Sequence, residues 1–237
     1  MLHGWAMHSG IWRQFARQLA QRRQVICLDL PGHGRSAELE SFDLPTIANA
    51  LLDAIPVNRF SILGWSLGAT VALEMAARFP DRVQSLSLLA GNPKFVKSFG
   101  WPGVRAEVLD GFAGQLGEDA RLTLQRFLGL QVQGLTESRQ LLQQLRFAVH
   151  ECDAPAINAL QGGLHILKYS DLRKALAGLR CPITVVQGDK DTLIPLQTAQ
   201  SIKKLNPRVD LHVLENAGHV PFLSHSHQLC EIIAAAV

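Results

Sequence analysis

Cysteine is scarce in this chain and never paired. Cys27, Cys152, Cys181 and Cys230 are scattered, with no C-x-x-C between them. That spacing argues against a zinc site, and reduced thiols in a cytoplasmic protein are the expectation. Cys27 and Cys181 lie in or beside strand-like runs and read as small core residues. No apolar run is long enough to span a bilayer. The opening residues, Met1-Leu2-His3-Gly4-Trp5, carry neither a basic stretch nor an apolar core, so no secretory leader and no membrane partner are expected. Charge is sparse as well. Charged residues make up 18% of the chain and the net charge is +3, too small to imply a nucleic-acid partner. Internal repeats and low-complexity segments are absent, which excludes solenoids and disordered tails.

What is present is apolar and alternating. The chain has 237 residues, 47% of them hydrophobic, which suits one α/β domain with an insertion. Val25-Ile26-Cys27-Leu28 reads as a buried strand, and Asp29 to Ser36 as a Gly/Pro loop. Residues 44–55 read as a helix. Phe60 to Leu63 is a strand, followed by a helix that stops near Phe79-Pro80. Val83 to Ala90, Ile183 to Val186 and Leu211 to Leu214 are further strands, and a last helix covers about 225–236. Such alternation implies a mostly parallel sheet with helices on both faces. Residues 92–170 break the rhythm. They show helical patterns around 119–130 and 137–149 and no strand-like run. The expected division is therefore a core of residues 1–91 and 171–237 with a helical lid of 92–170. The lid carries Phe95, Phe99, Trp101, Phe112, Phe127 and Phe147. Most of these suit the lid's own core, and some should line an apolar pocket.

The most informative segment is Gly64-Trp65-Ser66-Leu67-Gly68. A G-x-S-x-G alone is common by chance. Here it joins a strand to a helix, the context a nucleophile elbow requires. The sharp turn strains the serine backbone, and the flanking glycines let the chain pass close to itself. The helix beneath favours developing negative charge.

Serine needs a base, and the base needs an orienting acid. In elbow hydrolases these follow in the order acid, then histidine, each on a loop after a strand. Ile183 to Val186 runs into Gln187-Gly188-Asp189-Lys190-Asp191. Leu211 to Leu214 runs into Glu215-Asn216-Ala217-Gly218-His219. His219 is the candidate base. His33, His150, His165, His225 and His227 lack that setting. Asp191 is the candidate orienter, because Asp189 sits just after the strand and suits a turn or cap. An oxyanion hole takes one N–H from Leu67 and a second from the loop at His3-Gly4-Trp5, which makes Trp5 the other donor.

Taken together these segments resemble the α/β-hydrolase family. More narrowly they are similar to the pimeloyl-[acyl-carrier protein] methyl ester esterases of biotin synthesis. The likeness runs the whole length. It includes Leu2-His3-Gly4-Trp5, Trp101-Pro102-Gly103, Gly111-Phe112, Arg126-Phe127-Leu128 with Leu130-Gln131, Asn158 to Leu164, Ile166-Leu167-Lys168 and Ala217 to Phe222. The resemblance implies a serine carboxylesterase with Ser66 as nucleophile, Asp191 as orienter and His219 as base. Trp5 and Leu67 would form the oxyanion hole, and Phe127 would line the acyl channel. It implies no metal and no organic cofactor, a cytoplasmic monomer, and an acidic acyl-carrier protein as partner. Residues 120–150 hold Arg121, Arg126, Arg139 and Arg146 against Glu137 alone, a docking surface for such a carrier. Leu122 and Gln143 stand where the family's pattern suggests arginine. A broad short-chain carboxylesterase and an inactive fragment are the alternatives. The family also has a strand ahead of Leu-His-Gly, inside the sheet. The sequence predicts that this strand is missing and that two rows of backbone groups are left unpaired.

Overall fold

The computed structural model describes residues 1–236. Four parallel strands form the sheet: β1 (Phe60–Trp65), β2 (Val83–Leu89), β3 (Ile183–Gly188) and β4 (Asp210–Leu214), side by side in that order. Alternation along each strand builds two cores. Ile62, Leu86, Leu88 and Val185 face one side, and Leu63, Trp65, Leu89, Val186 and Leu214 face the other. Helices α1 (Arg13–Leu19), α2 (Leu44–Ala54) and α3 (Leu67–Arg78) come from the first part of the chain. α2 starts where Asp43 caps the N–H of Thr46 at 2.9 Å. Its Leu44, Ile47, Ala48 and Leu51 fall on one buried stripe. α3 lies against β1 and β2 and is buried over most of its length.

Between β2 and β3 the chain forms α4 (Ala106–Glu118), α5 (Ala120–Gln131), α6 (Ser138–Val149), α7 (Ile157–Tyr169) and α8 (Arg173–Gly178). Asp119 begins α5 by accepting the N–H of Leu122 at 2.9 Å. α4 packs on α7 and α5, and α5 on α6. The chain then adds α9 (Leu196–Leu205), α10 (Pro221–Ser224) and α11 (Ser226–Ala235), the last of which packs on α1. No helix among the described residues is long and apolar enough to cross a membrane.

Three sequence expectations need correction. Val25 to Leu28 is not a regular strand. Its contact with the sheet is a single bridge, Leu28 to Leu2, and Leu2 in turn bridges Gly64. A strand exists only through its ladder, and here the ladder partner is one residue long. The Leu28 N–H donates to Met1 O at 3.1 Å, and the Leu2 N–H to Leu63 O at 2.8 Å. Beyond Met1 the two edges part around a slot of about 250 Å³ lined by Leu19, Val25, Leu28, Phe60, Ile62 and Ile233. Secondly, Cys27 and Cys181 are only half-buried, whereas Cys230 is buried. The first two pack against the margins of the two cores. Thirdly, the aromatics of residues 92–170 divide: Phe95, Trp101, Phe112 and Phe127 are buried, and Phe99 and Phe147 are exposed.

Candidate active site

Ser66 sits between β1 and α3 with φ +56° and ψ −118°, a left-handed backbone that a non-glycine residue adopts only under constraint. Its N–H donates to Leu89 O at 3.1 Å, which ties the turn to the end of β2. Gly64 and Gly68 make the turn possible. A Cβ on Gly64 would lie 2.1 Å from Gly68 O, and one on Gly68 would lie 2.4 Å from His3 O.

The loops after β3 and β4 bring Asp191 and His219 together. His219 Nδ1 lies 2.9 Å from Asp191 Oδ2, and both residues are buried. A carboxylate oxygen accepts, so Nδ1 carries the proton and Nε2 keeps its lone pair. Asp191 Oδ1 accepts the N–H groups of Leu193 and Ile194 at 2.8 and 2.9 Å. Its Oδ2 also accepts Gln187 Nε2 at 3.0 Å. Asp189 forms no hydrogen bond or ion pair with the imidazole among the described residues. It lies beside Lys190, with one carboxyl oxygen buried and unpartnered.

Trp65, the residue before Ser66, holds the His219 loop in place. Its Nε1 donates to His219 O at 2.7 Å, and its ring packs on the imidazole at 5.7 Å between centroids. His219 Nε2 is buried and has no hydrogen-bond partner among the described residues. The Ser66 hydroxyl is therefore not bonded to it in this resting arrangement. Such bonds commonly tighten only when substrate is bound.

The Trp5 loop adjoins the elbow. A Cβ on Gly4 would come within 3.2 Å of Ser66 Cβ. Among the described residues no hydrogen bond engages the N–H of Trp5 or of Leu67. Leu67 opens α3, where N–H groups lack intrahelical acceptors. The Trp5 indole donates to Leu160 O of α7 at 2.8 Å. Its ring meets Phe127 edge-on at 4.7 Å and Phe112 at 6.3 Å, and these two rings pack at 5.8 Å. Trp5, Phe112, Phe127 and Ser66 are all buried, the serine at 4% exposure.

Four residues in this arrangement had no role assigned from sequence. Gln187 orients Asp191. Its signal was a polar residue closing an apolar strand. His3 accepts the Leu30 N–H at Nε2 (2.9 Å) and reaches Gly4 O through Nδ1 (2.8 Å), so it clamps the Trp5 loop to the 29–36 loop. Burial, and secondarily the neighbouring His33, lowers the His3 pKa to about 3. Burial lowers that of His33 to about 4. Asp29 completes the clamp by accepting the N–H groups of Ser9 and Arg35. Gln131 is buried, and neither of its side-chain amide atoms has a hydrogen-bond partner among the described residues.

The four arginines stand apart from this centre. Arg121 and Arg126 on α5, and Arg139 and Arg146 on α6, are all exposed. Arg126 donates to Gln115 at 2.9 Å. Among the described residues none of the four forms an ion pair with an acid.

A sequence profile for the alpha/beta hydrolase fold matches residues 1–226. The pimeloyl-[acyl-carrier protein] methyl ester esterase of Methylococcus capsulatus is 40% identical over 233 residues, covering 98% of this chain and 91% of the relative. The protein of the same name from Klebsiella pneumoniae is 38% identical over 235 residues, with 99% and 91% covered. Among solved structures, an esterase from Exiguobacterium antarcticum superposes with a TM-score of 0.87 at 22% identity, covering 99% of this chain and 90% of that one.

Proposed function

Because the chain belongs to the alpha/beta hydrolase fold family, and within it to the pimeloyl-[acyl-carrier protein] methyl ester esterases, we propose that it is a serine carboxylesterase hydrolysing the methyl ester of pimeloyl-[acyl-carrier protein] in biotin synthesis. The observation that carries the reading is the buried Asp191–His219 pair, whose backbone is held by the residue preceding Ser66.

Ser66 Oγ attacks the ester carbonyl while His219 Nε2 takes its proton. The oxyanion accepts hydrogen bonds from the Trp5 and Leu67 N–H groups. His219 then returns the proton to the departing methoxide, and methanol leaves an acyl-enzyme. Water, deprotonated by the same nitrogen, cleaves the acyl-enzyme. The free carboxylate departs on its carrier and Ser66 regains its proton. Phe112 and Phe127 keep the acyl chain dry. The inserted helices act as a lid, and their unpaired arginines meet the acidic carrier.

Turnover of the carrier-bound methyl ester against a short p-nitrophenyl ester tests the reading. A strong preference for the first is expected, as is loss of both activities in Ser66→Ala. Preference for the short ester would mark a broad carboxylesterase instead. Reversing charge at Arg126 and Arg139 should slow the carrier-bound substrate and spare the short ester. Equal loss on both would place docking elsewhere.

A further inference from the structure

Three parts of the proposed machinery meet on one helix. Phe127, on α5, packs against Trp5 of the oxyanion loop. One turn later, Leu130 O accepts the Thr192 hydroxyl at 3.0 Å, from the residue adjoining Asp191. Gln131 O accepts the backbone N–H of His219 at 3.3 Å. Just past the helix, Leu135 covers Gly218, where a Cβ would stand 2.8 Å from Leu135 Cδ1. The last carbonyls of a helix lack intrahelical donors and must find others. Leu130 O accepts the Val132 and Gln133 N–H groups locally, and the loops bearing the acid and the base add Thr192 at Leu130 and His219 at Gln131.

Thr192 is exposed, unlike its neighbours Asp191, Leu193 and Ile194. Asp191 takes its four donors from Leu193, Ile194, Gln187 and His219, so the Thr192 hydroxyl adds nothing to the carboxylate. Its one bond goes to α5. We infer that Thr192 is a positioning residue: its hydroxyl fastens the end of α5 to the acid loop, and through the Gln131 carbonyl this sets the backbone of His219. The inference rests on the esterase reading above and adds a residue to it. Thr192 touches no reacting atom. It acts by holding a helix whose preceding turn, at Phe127, borders the acyl channel. Filling that channel and aligning the base are therefore coupled through a single rigid element.

The test compares Thr192→Val, which keeps the shape and removes the hydroxyl, with Thr192→Ser, which keeps the hydroxyl. Thr192→Val should lower kcat about three- to tenfold, the worth of one hydrogen bond, and leave KM for a short p-nitrophenyl ester unchanged. The His219 amide should exchange faster with solvent, and the melting temperature should hold. Thr192→Ser should restore both kcat and exchange protection. Unchanged kcat and exchange in Thr192→Val would overturn the inference, as would a Thr192→Ser variant as impaired as Thr192→Val. Wild-type protein that a fluorophosphonate fails to label at Ser66 would overturn the esterase reading and this role together. Labelled wild type with an unaltered Thr192→Val removes the fastening alone.

Discussion

Asp191 accepts four hydrogen bonds, and its donors divide the work of holding it. The Leu193 and Ile194 N–H groups fold the loop around the carboxyl group, Gln187 steadies it from the strand, and His219 receives its orienting effect. Replacing Asp191 with Asn would present an NH2 to Nδ1 and favour the wrong tautomer. Steady-state kinetics should show kcat lower by about ten-thousandfold. A variant within tenfold of wild type would mean that another acid serves the imidazole. The order Ser66, Asp191, His219, each after a strand, is read from the sequence, and of these the structure pairs Asp191 with His219. Gln187 showed only as a polar residue closing an apolar strand, and His3 and Thr192 were not legible. The partners of these two, Leu30 and Leu130, lie 27 and 62 residues away in the chain, and no local pattern marks a polar residue whose partner arrives only on folding.

At the scale of elements, periodicity served well where one face is buried. α2, α5 and α6 appear within a residue or two of expectation, because each has an apolar stripe on a core and α2 and α5 have an acidic N-cap. The run Val25 to Leu28 misled, because β-branched residues record a preference and not a partner. α5 matters most to chemistry. Phe127→Ala would remove an edge-on ring from both Trp5 and Phe112. KM should rise roughly tenfold for a long acyl ester, about what burying two methylenes contributes, with little change for an acetyl ester. Equal effects on both would show that the ring supports the fold and does not line the channel.

The whole molecule combines a four-stranded sheet with a buried pair of histidines, His3 and His33, whose rings lie 5.3 Å apart. His3 and His33 have pKa values of about 3 and 4 when folded, against an ordinary 6.5. Between pH 6.5 and 4 the unfolded chain therefore binds protons that the folded chain refuses. Stability is fully present above pH 6.5 and falls on acidification through that window, by about 1.4 kcal/mol per pH unit for each histidine. Urea unfolding at pH 7, 6 and 5 should show this slope, and His33→Gln should flatten it. A slope that survives in both His3→Gln and His33→Gln would assign it to other groups. The slot beside Leu2 offers a second global test. About five apolar, β-branched residues joined ahead of Met1 would lay extended backbone along it. The melting temperature should rise by about 2–4 °C for each kcal/mol gained, and a proline-containing stretch of equal length should not match it. Equal melting would show that the slot does not accept a strand.

The proposed esterase function depends on activation of the Ser66 hydroxyl by His219. The most direct measurement is the rate of covalent labelling of Ser66 by a fluorophosphonate, located by mass spectrometry, in wild type and in His219→Gln. The structure predicts a single adduct on Ser66, formed in the wild type at least a hundredfold faster than in the variant, roughly the worth of a positioned general base. An adduct elsewhere, or equal rates in the two proteins, would contradict it.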